Sequence, residues 1–193
     1  MLRWWAVGLA AVLVLGSADP AVAQKAAPKK TAEALPVNDK VLDFAKKKLG
    51  EQVGNGECWT LANDAVLAAG GRSSPSYTDS PATGDYVWGQ LVYGVSAKGG
   101  KLTEDATAAK KAVAPGDVVQ FRDTKFSGPR AGGGTYSMSA EHHTAVVAAV
   151  APDGKTFQIL HQNWNGKKTV AEATLATRDL KEGWVKVYRP QPR

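Results

Sequence analysis

A single cysteine, Cys58, stands in the stretch Gln52-Val-Gly-Asn-Gly-Glu-Cys58-Trp59, and the only three histidines are His142, His143 and His161. A lone thiol has no internal disulfide partner, so it pairs with another chain, stays an inert buried group, or is kept because it reacts. Cys58 falls at the predicted start of a helix. There, unpaired first-turn N–H groups and the helix dipole favour negative charge, and a thiol attacks as its thiolate. Thiol nucleophiles need an imidazole to take the proton and a further polar group to hold that imidazole. All three histidines fall in one predicted hairpin. With its turn centred on Asp153, strand parity puts Asn163 opposite His143, places His161 diagonally on the same face, and turns His142 to the other face. A one-residue slip would bring in Gln162 or Trp164 instead.

The elements that position these groups are readable in outline. Asn38 or Asp39 caps a helix running to about Leu49, with Val41, Leu42, Ala45 and Leu49 on one side and Gly50 at its end. A second helix starts at Glu57 or Cys58, carries Leu61, Ala62, Ala65, Val66 and Ala69, and stops at Gly70-Gly71. Residues 71–86 read as a surface loop. Strands are expected at Asp117–Phe121, His143–Val150, Thr156–Trp164, Lys168–Leu175 and Trp184–Arg189, with Asn165-Gly166 a hairpin turn. The glycine-rich stretch Phe126–Tyr136 reads as a loop, either a lid or an insertion. Helices followed by antiparallel strands make an α+β domain.

These residues resemble a known group. The patterns G-x-C-W-x-L-A, P-G-D-V-V-x-F, H-T-A-V-V and H-Q-N-x-N-G, in that order over roughly residues 39–190, are similar to the CHAP and NlpC/P60-like cysteine peptidases of the papain-like superfamily. The resemblance implies N-terminal helices packed on an antiparallel β-sheet or small barrel. It implies Cys58 as nucleophile and His143 as base, although the doubled His142-His143 leaves either imidazole available. His161 and Asn163 match the orienting positions, and Gln52, six residues before Cys58, stands where such enzymes place an oxyanion-hole glutamine. The implied activity is cleavage of an amide or peptide bond through a thioester, with peptidoglycan or another peptide or amide as substrate. No cofactor is implied. The competing reading is a catalytically silent envelope-binding module on the same fold. A zinc site from Cys58 and the histidines is disfavoured, because adjacent strand residues face opposite ways and no H-E-x-x-H spacing exists.

The ends and the charge complete the picture. Arg3, the apolar run Trp4–Leu15 and Ala21-Val22-Ala23 have the parts of a signal peptide over residues 1–23. The apolar run is about a dozen residues where a bilayer span needs roughly 20, so no membrane span is expected after its removal. Residues 24–37 read as a flexible basic linker, and 38–193 as one hydrolase domain. The implied location is periplasmic or extracellular. The net charge of +6 suits an anionic surface or simply a solvated one. No basic stripe is interleaved with aromatics, so nucleic acid is not expected as a partner.

Overall fold

The computed structural model describes residues 36–77, 85–130 and 133–193. The chain divides at residue 32, and every described residue belongs to the unit Glu33–Arg193; the expected signal segment, residues 1–23, lies outside the described residues. Helix α1 spans Pro36–Lys47. It begins inside the segment expected as linker, since proline is well suited to a first helical turn that needs no donor. Asp39 in its first turn and Lys46 and Lys47 in its last complement the dipole. Val41 and Ala45, one turn apart, are fully buried. Leu49 lies beyond the helix and is half exposed, so the apolar side ends earlier than its spacing suggests.

Helix α2, Cys58–Ala68, buries Leu61, Ala62, Ala65 and Val66. Its small residues let it lie close against the sheet. Among the described residues no helix is long and apolar enough to cross a membrane.

Seven strands follow: β1 Gln90–Lys98, β2 Lys101–Glu104, β3 Val118–Pro129, β4 Thr135–Val150, β5 Thr156–His161, β6 Ala171–Ala176 and β7 Leu180–Arg189. They form one sheet in the order β2-β1-β7-β3-β4-β5-β6, with antiparallel pairing throughout. Alternating residues divide the interior in two. On one face Val118, Val146 and Leu160 meet the helices. On the other, Val119, Phe121, Ala145, Ile159 and Val187 form a second core without helices. The sheet curls around that second core. Tyr93 of β1 and Phe157 of β5 touch with ring centroids 6.2 Å apart, although β7, β3 and β4 lie between their strands.

Part of the curl originates in a bulge where the register of β3 on β7 shifts between Arg122 and Lys125. Opposite it sits Gly183 at φ +81°, where a Cβ would come within 2.3 Å of Arg122 O. Only glycine allows that approach.

Two expectations change here. The stretch Phe126–Tyr136 is not a loop: β3 and β4 pair out to Pro129↔Thr135, and Phe126 is fully buried. Gly133 and Gly134, both at positive φ, lead into β4 of a long hairpin, of which residues 131–132 lie outside the described residues. Strands β1 and β2 were not expected at all; Gly99 and Gly100, both at positive φ, turn one into the other.

Asp117 does more than close a turn. Its buried carboxylate accepts from Ala114 N at 2.8 Å, Asn38 Nδ2 at 2.7 Å, and Arg189 Nε and Nη2 at 3.1 and 3.0 Å. It thereby ties α1, the entry to β3 and the end of β7 together.

Candidate active site around Cys58

The loop before α2 is fixed by side chains from both ends. Asn55 Oδ1 accepts from Glu57 N at 3.1 Å and from Thr60 Oγ1 at 2.6 Å, and so fixes the turn that leads into the helix. Gln162, fully buried just past β5, exchanges both amide groups with Val53: Val53 N donates to its Oε1 at 3.1 Å, and its Nε2 donates to Val53 O at 3.0 Å. The same Nε2 reaches Glu57 O at 2.7 Å. Cys58 therefore enters α2 as its first residue from a clamped approach.

Its thiol is half-buried and lies against β4. Burial pushes its pKa up, and the Glu57 charge adds to this; the backbone N–H groups of Thr144 and Trp59 act the other way, as does the Thr144 hydroxyl most weakly. That hydroxyl has one proton, and it goes to Gln120 Oε1 at 2.9 Å. The backbone donors are what remains for the sulfur. The net result is a protonated resting thiol, not the preformed thiolate that the helix start suggests.

His143 and His161 are brought together, with ring centroids 5.3 Å apart. They lie on the face away from the helices, packed with Trp164 at 4.4 and 5.0 Å. Phe121 closes the cluster at 5.8 Å from His143. His143 Nε2 and His161 Nδ1 are buried and make no hydrogen bond. Burial, with the neighbouring His161, pulls His143 down to about 3. Burial, with Lys167, pulls His161 down to about 4. Among the described residues no hydrogen bond joins either ring to Cys58. The contact that links them is one residue removed: Thr144, which meets the thiol, follows His143 on β4.

Asn163 parts from the two histidines. The ladder pairs Val146 with Leu160, and continuing that register would set His143 opposite Asn163. Instead Asn163 turns to φ +60°, and its Nδ2 donates to Glu57 Oε2 at 2.6 Å. It lines the open cleft of about 390 Å³ at Cys58, together with Asn55, Glu57, Trp59, Tyr86 and His142. Trp59, Tyr86 and Trp88 pack in tilted and edge-on contacts as one aromatic cluster, with centroids 5.9–6.4 Å apart. His142 Nδ1 lies 3.0 Å from Arg122 Nη1, and that guanidinium pairs with Asp85 at 3.0 Å. Gln52 does not line this cleft; its Nε2 donates to Gly54 O at 3.1 Å.

Sequence reasoning missed the roles of Glu57, Arg122 and Asp85, and named Gln162 only as the outcome of a one-residue slip. Gln162 lies in the H-Q-N run with parity opposite to that of the histidines, so it meets the loop before Cys58 and not the two rings. Arg122 and Asp85 carry no local signal, since they meet His142 only through the fold. Among the described residues no three of His, Cys, Asp and Glu gather in a way that could hold a metal ion.

The family profile of the AIM3/BBC1 Cysteine proteinase-fold domain matches residues 31–193. A Debaryomyces hansenii protein, "Altered inheritance of mitochondria protein 3", is 28% identical over 153 residues, which is 79% of this chain. The match covers 16% of that relative's length. Two solved structures of Ly7917 align with TM-scores of 0.41 and 0.43 at 22% and 23% identity. They cover 79% of this chain and 62% and 63% of theirs, and one is described as holding the hydrolyzing product of MDP. The fold is thus a papain-like cysteine proteinase fold, and the narrower CHAP or NlpC/P60 type is not singled out. The expectation of an exported, periplasmic or extracellular protein is corrected: the relative is a yeast protein named for the inheritance of an organelle inside the cell.

Proposed function

This chain belongs to the AIM3/BBC1 cysteine proteinase-fold domain family, and on that premise we propose that it is a thiol hydrolase acting on an amide or peptide carbonyl. The observation that carries the reading is the placement of Cys58 as the first residue of α2, at an open cleft, with backbone donors directed at its sulfur. In this reading the Cys58 sulfur attacks the carbonyl carbon while its proton passes to solvent in the open cleft. Solvent returns a proton to the leaving amine, and a thioester remains. Water then attacks the thioester, a proton returns to the sulfur, and the carboxylic acid and the thiol are released. Neither imidazole of β4 takes that proton at rest: His143 faces the second core behind the strand, and the Nδ1 of His142 is engaged by Arg122. His143 and His161, ring against ring, serve the packing of that core in this reading.

Since burial leaves both the thiol and His143 uncharged at rest, proton transfer accompanies attack instead of preceding it. The Cys58 backbone N–H is the first oxyanion donor. Gln52 can join it only by releasing Gly54 O.

The same uncharged pair supports a second reading, a silent binding module that has kept the fold. Incubation with a peptide library and with peptidoglycan, read by mass spectrometry, separates the two. Cleavage lost in Cys58→Ala supports the hydrolase. Cleavage that persists in Cys58→Ala ends it, and no cleavage by any form favours the module.

A further inference from the structure

We propose that His142 is a hydrogen-bond donor in the Cys58 cleft, presenting Nε2–H to the oxygen of a bound acyl group, and that Arg122 and Asp85 hold it in that state. The inference rests on the reading of Cys58 as nucleophile and adds a residue and a role to it.

The argument begins with what a guanidinium can do. It carries only donors and does not lose its proton. At 3.0 Å from Arg122 Nη1, His142 Nδ1 must therefore offer its lone pair. A neutral ring with Nδ1 as acceptor carries its proton on Nε2. Its one lone pair is thereby used, so His142 is poorly placed to act as a base and well placed to donate.

The pair is built into the fold. Arg122 and His142 are direct partners across β3 and β4. The guanidinium is held from two further sides, by Asp85 Oδ1 at 3.0 Å and Asp123 Oδ2 at 3.1 Å. Asp85 lies 3.8 Å from His142 Nδ1, beyond hydrogen-bond reach, so it acts on the ring through Arg122. His142 lines the same cleft as Cys58. When the sulfur attacks a carbonyl there, charge develops on the oxygen, and a fixed N–H donor then gains strength without reorganisation. His142 would supply the side-chain donor that Gln52, turned to Gly54 O, does not supply at rest.

Two measurements test this. Nitrogen-15 NMR of histidine-labelled protein at pH 7.5 should show His142 with Nδ1 bare and Nε2 protonated, and Arg122→Met should lose that preference. A protonated Nδ1 in the wild type would overturn the proposal. In turnover assays His142→Ala should lower kcat about 100-fold with KM little changed. His142→Gln, which keeps an N–H, should recover part of the loss. An unchanged kcat in His142→Ala, or loss of the proton-accepting limb of its pH–rate profile, also sinks the idea. If the wild type turns over nothing while His142 keeps Nδ1 bare, the nucleophile reading fails and takes the donor role with it. The NMR result needs no turnover, so the two failures are distinguishable.

Discussion

At the scale of single residues, Cys58 occupies a helix start that should favour a thiolate, yet its surroundings do not. Burial and the Glu57 carboxylate outweigh the backbone donors of Thr144 and Trp59. Alkylation by iodoacetamide should accordingly be slower than for an unstructured cysteine peptide at pH 7, and should climb only as pH passes above the ordinary thiol range of roughly 8.5. Glu57→Gln removes a negative charge beside the sulfur, so its rate profile should move to lower pH. A wild-type rate already at its plateau near pH 6 would show a preformed thiolate and refute this account. The identity and helical position of Cys58 were legible from the lone thiol and the glycines before it. Its burial was not, because that comes from β4, some 85 positions further along the chain.

Among the elements, the hairpin of β4 and β5 shows what strand parity can and cannot supply. The shared face of His143 and His161 follows from alternation around a turn at Asp153, and their rings do meet. Parity fails two residues on, because it assumes extended backbone, and Asn163 adopts a left-handed conformation that asparagine tolerates. The departure of β5 at that point makes room for Gln162 to grip the loop before Cys58. Gln162→Ala would leave Val53 N, Val53 O and Glu57 O without that partner. A loss of about 2–3 kcal/mol is expected, with the Val53 amide exchanging faster than those of α2. Equal protection of Val53 in variant and wild type would show that the loop is held by something else. The β1–β2 hairpin, by contrast, was legible and went unread: Gly99-Gly100 is a strong turn signal between two strand-like runs.

For the molecule as a whole, helices on one face of an antiparallel sheet were readable from element order, whereas the curl that encloses a second core was not. That curl depends on contacts such as Tyr93 with Phe157 and on the bulge opposite Gly183, which no local pattern announces. The enclosed core includes two histidines, and this couples global stability to pH. His143 is held down to about 3 and His161 to about 4, against roughly 6.5 for each in the unfolded chain. Below pH 6.5 the unfolded state therefore binds protons that the folded state refuses, so stability is complete above that pH and falls as pH drops toward 3–4. By pH 5 each histidine should cost about 2 kcal/mol of unfolding free energy. Urea unfolding of the wild type at pH 7.5 and pH 5 should show that decline. In His143→Phe and His161→Phe, where an aromatic ring still fills the space beside Trp164, the decline should shrink by about one histidine's share each. Carboxylates contribute equally to all three proteins and cancel in the comparison. A variant that keeps the full wild-type slope would show that its histidine is protonated in the folded state, and the uncharged resting site would fall with it.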